Sequence, residues 1–364
     1  MCWSQKFLEE NKDIENNGKK KQSDLKQMPF INEILKHRSV AITGLEKNTG
    51  KTECLNYIVE KLAFVGKKIA LTSIGLDGES FDQITNSHKP EITLYEGIIF
   101  ITSEKHFRQA KIDAEIIDIS TQRTALGRLV IAEAKSTGKA IISGPTNTRW
   151  LKEIIDKMSV YGAHTTLVDG ALSRLSSASP TIAEAMILTT GASLSANMDE
   201  LVNKTDFAVK LINLPEYVSP LADCMAALED GIYSVDKSGN FFDTGIKSTF
   251  LLNNQKEFMD NATVIYTSGA VTDKLLNFLR LQKKMPQLLL VVKDFTKIFA
   301  SKMVYEAFVA KGGRINLLHK SKLLAVCVNP VSPQGYILDT EYLCKRMLQK
   351  MNVAVYDIMQ MENE

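Results

Sequence analysis

Two glycines, a lysine and a threonine near residue 50 form the pattern in this sequence that is most typical of chemistry. Residues 44–52 read Gly-Leu-Glu-Lys-Asn-Thr-Gly-Lys-Thr. Backbone amides in a glycine-rich turn, together with the positive end of a following helix, bind an anion well. Lys51 would contact the outer phosphates of a nucleotide, and the Thr52 hydroxyl would hold Mg²⁺. The pattern therefore predicts a phosphate-binding loop for ATP and Mg²⁺.

The elements on both sides of this turn are the ones that such a loop requires. Residues 39–43 form a short β-branched and apolar run, which is typical of a buried strand. From Leu55 to Leu62 apolar residues recur at helical spacing, and Gly66 marks the end of that helix. The alternative is an ordinary strand-to-helix turn that happens to contain Gly-Lys-Thr. The correct context on both sides favours the phosphate site.

The spacing of the two glycines departs from the commonest phosphate-binding loop. Five residues separate Gly44 from Gly50 instead of four, and Leu45 occupies the usual position of the first glycine. The same spacing occurs in dethiobiotin synthetases and their nucleotide-binding relatives, which this stretch resembles.

Carboxylates at the ends of two predicted strands are candidates for binding magnesium. Residues 68–74 form an apolar strand that leads to Asp77, and residues 165–168 form another that ends at Asp169. Ligands of open α/β sheets bind at the carboxyl ends of the strands. Asp169 would bind Mg²⁺ directly or through water beside Thr52, and Asp77 would hold water ligands of the ion or orient an attacking water. Turn or capping roles remain open for both carboxylates.

The segment that follows Asp169 contains one cation among several hydroxyls. Residues 173–180 include Arg174 and four serines. They form either a flexible loop with serine caps or a nucleotide-sensing loop in which Arg174 contacts phosphate. The candidate catalytic residues are Lys51, Asp77 and Asp169, and the candidate metal ligands are Thr52, Asp77 and Asp169. The predicted nucleotide contacts are Gly44, Lys47, Asn48, Thr49, Gly50, Lys51, Thr52, Glu53 and Arg174.

The chain of 364 residues is longer than a typical single domain. Residues 1–37 are predicted to form a polar N-terminal extension, and residues 38–214 an α/β P-loop domain with a mostly parallel sheet. Residues 215–364 alternate strands and helices without a second phosphate loop, which predicts a smaller α/β domain. That domain has either a structural or partner-docking role, or it binds an effector or the nucleotide base.

Several further elements are predicted from periodicity and turn residues. Strands are expected at 116–120, 128–131, 140–143, 185–190, 207–212, 323–328 and 353–356. Helices are expected at 148–160, 199–204, 272–281, 297–310 and 341–350, and a hairpin at 232–244.

Composition narrows the classes of function. A formal net charge of +2 gives no sign of a nucleic-acid-binding surface. The five cysteines are scattered without a C-x-x-C pair, which argues against a zinc site or disulfide framework and favours a reducing cytoplasm. The first ten residues carry too many charges for a signal peptide, and no apolar run approaches 18 residues. No membrane partner is therefore expected.

These motifs together resemble one protein family, the P-loop subunit of the lysine 5,6-aminomutase reactivase. The resemblance covers residues 38–214, and more weakly 329–330 and 355–357. The stretches that carry it are 44–52, 75–79, 89–90, 169–174, 178–180 and 190–193. The resemblance implies an ATP-dependent chaperone of lysine fermentation that acts with a MutS-like partner subunit. It would expel damaged cobalamin from the inactivated aminomutase so that adenosylcobalamin can enter, and an oligomer is expected. Lys51, Thr52 and Asp169 carry over from the family pattern, whereas Asp77, Glu79, Ser173 and Arg174 receive no secure role from it.

Two other functions remain open at this stage. One is a dethiobiotin-synthetase-like ligase or small-molecule kinase, in which the rim at 173–193 would bind an acid substrate. The other is a nucleotide-gated scaffold that hydrolyses ATP slowly. No N-K-x-D motif for guanine is present, which favours adenine, and no obvious general base stands beside the loop.

Overall fold

The computed structural model describes residues 29–74, 81–82, 87–88, 90–170, 179–180, 182–247, 261–282 and 287–361. The helices are α1 (Pro29–Ile34), α2 (Lys51–Ala63), α3 (Glu104–Gln109), α4 (Thr148–Val160), α5 (Met198–Ile212), α6 (Ala222–Ala227), α7 (Asp273–Arg280), α8 (Lys302–Ala310), α9 (Thr340–Lys350) and α10 (Ile358–Met361). The strands are β1 (Ser39–Gly44), β2 (Ile69–Ser73), β3 (Phe81–Asp82), β4 (Ser87–His88), β5 (Ile92–Leu94), β6 (Ile99–Ser103), β7 (Ala114–Thr124), β8 (Gly127–Ala134), β9 (Gly138–Ala140), β10 (Thr165–Asp169), β11 (Ala185–Gly191), β12 (Ile232–Val235), β13 (Phe241–Asp243), β14 (Val264–Thr267), β15 (Leu289–Val292), β16 (Arg314–Leu317), β17 (Lys322–Asn329) and β18 (Val355–Asp357).

A nine-stranded sheet forms the centre of the molecule, in the order β18-β17-β11-β1-β10-β2-β6-β8-β7. The first seven of these strands are parallel to their neighbours, and β8 and β7 add antiparallel pairs at one edge. Helices pack against a largely parallel sheet in this arrangement, so the predicted α/β class is confirmed.

Strand β1 lies in the interior of this sheet because its side chains are small or apolar and carry no charge. All six of its residues are buried between the parallel neighbours β10 and β11. In this register Ile42 lies opposite Asp169, and Gly44 lies opposite Thr189. The carboxyl ends of β1, β10 and β11 therefore meet at one edge, where ligands of such sheets bind.

A second sheet of five strands has the order β13-β12-β14-β15-β16. The predicted hairpin is present as the antiparallel pair of β12 and β13, and β14, β15 and β16 are parallel. Helices α7 and α8 pack against each other beside it, and α7 matches the helix predicted at 272–281.

The second sheet does not include all the strands that follow residue 214. Strands β17 and β18 return to the nine-stranded sheet, where β17 pairs with β11. Residues 325–328 of β17 are fully buried, so this strand needs an apolar neighbour on each face. Strands from both sides of the boundary predicted at residue 214 therefore belong to the nine-stranded sheet.

One predicted helix–strand pair is wrong. Instead of a short helix at 199–204 and a strand at 207–212, the continuous helix α5 covers Met198–Ile212. Thr205 and Asp206, which separate the two predicted elements, lie on the buried face of this helix. Asp206 pairs with Lys210 one turn later at 2.8 Å, which supports the helix instead of ending it.

Two other predicted elements are shorter than expected. The strand predicted at 140–143 is limited to β9, and residues 141–147 continue as irregular chain. The helix predicted at 297–310 is a 3-10 turn (Phe295–Lys297) followed by α8 from Lys302. Between them Val271 bonds to both Lys297 and Phe299 through its backbone, which holds that stretch extended.

Within this irregular stretch Gly144 lies close to the end of β2, which leads us to expect a stability effect there. A Cβ atom built on Gly144 would lie 1.5 Å from the Ser73 carbonyl oxygen at the end of β2. Gly144→Ala should therefore lower the free energy of unfolding by about 2–4 kcal/mol, because the backbone must shift. Urea unfolding would measure this, with Gly97→Ala as the control: Gly97 has a φ of 84° but no atom within 4 Å of an added Cβ. Equal losses in the two variants would contradict the close approach.

Within the described residues, no helix has the combination of length and apolar character that crossing a membrane demands.

Candidate functional site

The turn between β1 and α2 depends on two residues with left-handed backbone conformations. Asn48 has a φ of 60° and Gly50 a φ of 82°. Asparagine and glycine are the residues that adopt this conformation most readily. Gly50 is the N-cap residue of α2, and because glycine has no side chain, the helix begins without the usual side-chain acceptor for its first amides. An external anion could take that acceptor role.

Strand β11 holds the beginning of the turn, next to the end of β1. The Leu45 amide donates to the Thr189 carbonyl at 2.9 Å. The Thr49 hydroxyl donates to the Glu46 carbonyl at 2.9 Å and lies 3.1 Å from the Thr189 hydroxyl. A Cβ atom on Gly44 would lie 2.4 Å from the Thr49 hydroxyl oxygen. Glycine at position 44 is therefore required for the turn to fold back on itself.

Asn329, at the end of β17, supports the turn from the opposite side. A Cβ atom on Gly50 would lie 2.6 Å from the Asn329 Cβ atom, and one on Gly191 would lie 2.1 Å from the Asn329 carbonyl oxygen. The side-chain oxygen of Asn329 accepts from the Val331 amide at 3.0 Å, and its carbonyl accepts from the Ala192 amide at 2.9 Å. These bonds fix the asparagine that packs against Gly50.

Lys51 links the start of α2 to the end of β10. Its ammonium group lies 2.7 Å from a carboxylate oxygen of Asp169 and donates to the Gly170 carbonyl at 2.7 Å. The Gly170 amide donates to the Ile42 carbonyl of β1 at 3.0 Å, which holds the end of β10 beside the turn. The Lys51 and Asp169 side chains are 25% and 16% exposed, so their attraction is stronger than that of a pair on the surface.

This arrangement brings together groups that can bind a polyanion and a divalent cation that neutralises its charge. A lysine ammonium has three donors, and the two partners of Lys51 among the described residues leave one for a ligand. The uncapped first turn of α2 adds amides and the positive end of the helix dipole. The Asp169 carboxylate supplies the negative charge that a divalent cation would need.

The predicted site residues divide into three groups. Gly44, Thr49, Gly50, Lys51 and Asp169 are brought together at the carboxyl ends of β1 and β10 by the contacts above. Thr52 is partly buried in the first turn of α2, whereas Lys47, Asn48 and Glu53 are exposed around it. Asp77, Glu79, Ser173 and Arg174 lie outside the described residues.

Two residues that support the turn were not predicted as site residues. Thr189 lies in the predicted strand that leads to Gly191. That glycine was the sequence feature that could have indicated a role for Thr189 at the site. Asn329 follows a predicted strand of the C-terminal span, and only the pairing of β17 with β11 brings it to Gly50.

Asp294, a carboxylate just after the end of β15, has a structural role. It is buried, and one oxygen accepts from the Ser179 hydroxyl at 2.8 Å. The other accepts from the Thr296 amide at 2.9 Å and from the Thr296 hydroxyl. Both oxygens are thus satisfied by protein donors, and the residue caps the 3-10 turn.

The residues at this site could bind Mg²⁺ only together with a phosphate ligand that supplies further oxygen ligands. The part of the chain that the structure describes contains no group of three or more His, Cys, Asp or Glu residues that could hold a metal ion. Mg²⁺ commonly binds through one or two carboxylates, with phosphate oxygens and water completing its shell. Asp169 and the Thr52 hydroxyl could contribute to such a shell.

Comparison with models of protein families, with curated proteins and with solved structures gives no match for this chain. The family resemblance described from the sequence motifs therefore stays a prediction.

Proposed function

We propose that this chain binds ATP with Mg²⁺ at the turn of residues 44–52 and hydrolyses it. The observation that carries the proposal is the contact of Lys51 with Asp169 at the start of a helix whose N-cap residue is a left-handed glycine, which provides no side-chain acceptor. A cation, an uncapped helix and an acidic strand end are the groups that triphosphate binding needs in one place.

Each residue has a defined part in this proposal. The amides of the first turn of α2 and the ammonium of Lys51 bind and orient the phosphates. Thr52 and Asp169 would hold Mg²⁺, whose charge neutralises the phosphate oxygens during transfer. Thr49 keeps the amides of the turn in place through its bond to the Glu46 carbonyl, and Asn329 does so by packing against Gly50.

Phosphate binding would also change the contacts of Lys51. Its ammonium group holds both the Asp169 carboxylate and the Gly170 carbonyl, and a phosphate bound to its third donor would draw the ammonium group away from these two acceptors. The chain leaving β10 at Gly170 would then have a different partner with and without nucleotide. Such coupling typically has a free energy of about 1–3 kcal/mol, which is enough to shift a partner's binding equilibrium.

We further propose that the hydrolysis drives a reactivating chaperone cycle in the cytoplasm. The support is the motif resemblance to the P-loop subunit of the lysine 5,6-aminomutase reactivase. Under this proposal a MutS-like subunit and the inactivated aminomutase are the partners, and damaged cobalamin is the released ligand.

The test is the ATP hydrolysis rate measured alone, with the MutS-like subunit, and with the cobalamin-inactivated aminomutase added. The chaperone proposal predicts a rate that rises with both proteins present, together with recovered aminomutase activity. Stimulation by a small acid without any protein partner would instead indicate a ligase or kinase. Slow turnover that the partners do not change would indicate a scaffold.

The Asp169→Asn variant should separate nucleotide binding from hydrolysis. The amide keeps the shape of the side chain but removes the charge that would hold Mg²⁺, so the hydrolysis rate should fall by about 100-fold or more. ATP binding without Mg²⁺ should change little or become tighter, because Lys51 loses its ionic competitor. Isothermal titration and a phosphate-release assay measure the two effects. The control is Asp156→Asn on the exposed face of α4. An Asp169→Asn variant that hydrolyses ATP at the normal rate would contradict the role of this carboxylate.

A further inference from the structure

A groove runs along the free edge of β18, three strands away from β1 in the sheet order. Its volume is about 610 Å³, and its walls are β18 and one side of α9. The three consecutive residues Val355, Tyr356 and Asp357 all border it. Side chains alternate between the two faces of a strand, so a cavity bordered by three residues in succession must follow the strand's edge.

The backbone of β18 directs hydrogen-bonding groups towards this groove. Among the described strands β17 is the one neighbour of β18. The Val326 amide of β17 donates to the Ala354 carbonyl, and Val326 lies opposite Val355 in the parallel register. In this register the backbone groups of Val355 and Asp357 point away from β17. Such outward groups can pair with a further strand.

The spacing of these outward groups is self-complementary. In an antiparallel ladder, opposite residues that exchange both of their hydrogen bonds alternate with opposite residues that exchange none. A two-fold axis at Tyr356 would place Val355 of each copy opposite Asp357 of the other, so the outward groups of both residues would form bonds. The two Tyr356 residues would be the non-bonded pair on the axis, where side chains lie closest. An antiparallel second copy of β18 therefore matches this edge.

The side of α9 that borders the groove is self-complementary in charge. Glu341 and Lys345 are exposed and lie one turn apart on this side. Burial raises the pKa of the Cys344 thiol beside them to about 12, so the thiol adds no charge at physiological pH. Asp357 is buried, so the accessible charges of the groove cancel. A patch of one sign would repel its own copy, whereas a patch with one charge of each sign can pair with itself across a two-fold axis.

Helix α9 would also gain an apolar contact from such pairing. It connects the parallel strands β17 and β18, so it runs opposite to both of them. A two-fold axis at the edge of β18 would bring two α9 helices side by side in opposite directions on one face of the sheet. Glu341 of each copy would then approach Lys345 of the other. The Leu348 side chain, which is 51% exposed, would be covered by the apolar stem of Lys345.

We propose that this groove is the interface of a homodimer, in which β18 pairs with β18 of a second copy and joins the two nine-stranded sheets into one. The groove is occupied by the β18 edge and the α9 helix of that copy. Each contact occurs twice, because the same surface is used on both sides of the axis. The proposal does not depend on nucleotide binding at residues 44–52.

Sedimentation equilibrium of the full chain over a series of concentrations tests the proposal. We expect a monomer–dimer equilibrium, with slower hydrogen exchange of the Val355 and Asp357 amides as the dimer forms. Leu348→Ser should weaken the dimer about tenfold, because the apolar contact is lost twice. Met303→Ser, a matched exposed apolar position on α8, should leave the dimer unchanged.

Charge reversal tests the pairing of the two α9 helices. Glu341→Lys and Lys345→Glu should each weaken the homodimer about tenfold, because each substitution creates two contacts between like charges. An equimolar mixture of the two variants should associate again as a heterodimer, since every one of these contacts then joins opposite charges. Failure of the mixture to associate more tightly than either variant alone would overturn the proposal.

Three further results would also overturn it. A chain that stays monomeric while both edge amides exchange rapidly would leave the edge free for another protein. A monomer in which the Val355 and Asp357 amides exchange slowly at every concentration would assign the edge to another segment of the same chain. A dimer that both charge reversals leave unchanged would use a different surface.

Discussion

Lys51→Ala is expected to lose ATP hydrolysis by a factor of about 100–1,000 and to lose any reactivation that depends on it. The ammonium group is the cation that the structure places between α2 and the end of β10. Removing one electrostatic contact of this kind from a transition state commonly costs that much in rate. Phosphate release and recovery of aminomutase activity are the two measurements.

The same variant should remain folded, which makes its loss of activity interpretable. Asp169 loses its ionic partner, but the pair is partly exposed, so we expect a stability loss of about 1–2 kcal/mol rather than the larger cost of a fully buried pair. Lys67→Ala, an exposed lysine beyond the other end of α2, is the control and should keep full activity. Normal hydrolysis by a folded Lys51→Ala chain would contradict the assigned role.

Gly50→Ala is the second change with a large expected effect. Alanine at a φ of 82° pays a conformational cost of about 1–2 kcal/mol, and its Cβ atom would also approach the Asn329 Cβ atom to 2.6 Å. We expect a total stability loss of about 2–4 kcal/mol and at least tenfold weaker ATP binding, because the first amides of α2 are displaced. Thermal unfolding and calorimetric titration measure the two effects.

Gly66→Ala is the matched control for this substitution. Gly66 lies beyond the C-terminal end of α2 with a φ of 73°, and no atom lies within 4 Å of an added Cβ. It should show the conformational cost alone and unchanged ATP binding. The double variant Gly50→Ala with Asn329→Gly should recover part of the lost stability, because the clash is removed. Equal effects of the two single variants would show that Asn329 does not constrain the turn.

Local elements of this fold could be predicted well because their signals are local. Helix α4 begins and ends where the sequence predicts, and the Asn147 side chain caps it by accepting from the Trp150 amide at 2.9 Å. Strand β10 also has the predicted limits, because an apolar run followed by Asp169-Gly170 clearly marks where the strand ends. The meeting of Lys51 with Asp169 follows from the predicted end of β10, the predicted loop before α2 and the parallel pairing of β1 with β10.

Features that depend on distant parts of the chain could not be predicted in the same way. Helix α5 continues through the predicted break between 204 and 207 because Thr205 and Asp206 lie on its buried face and Asp206 pairs with Lys210. The contact of Asn329 with Gly50 joins residues 279 positions apart, through the pairing of β17 with β11. No periodicity within either segment encodes that pairing. The packing of Asn329 against Gly50 could therefore not be predicted from the sequence.

The most direct test of the central claim is calorimetric titration of the full chain with a non-hydrolysable ATP analogue in the presence of Mg²⁺. The account predicts saturable binding at one site, at least tenfold weaker in Lys51→Ala and unchanged in Lys67→Ala. Absence of binding, or equal affinity of the unmodified chain and Lys51→Ala, would contradict the claim that residues 44–52 hold a nucleoside triphosphate.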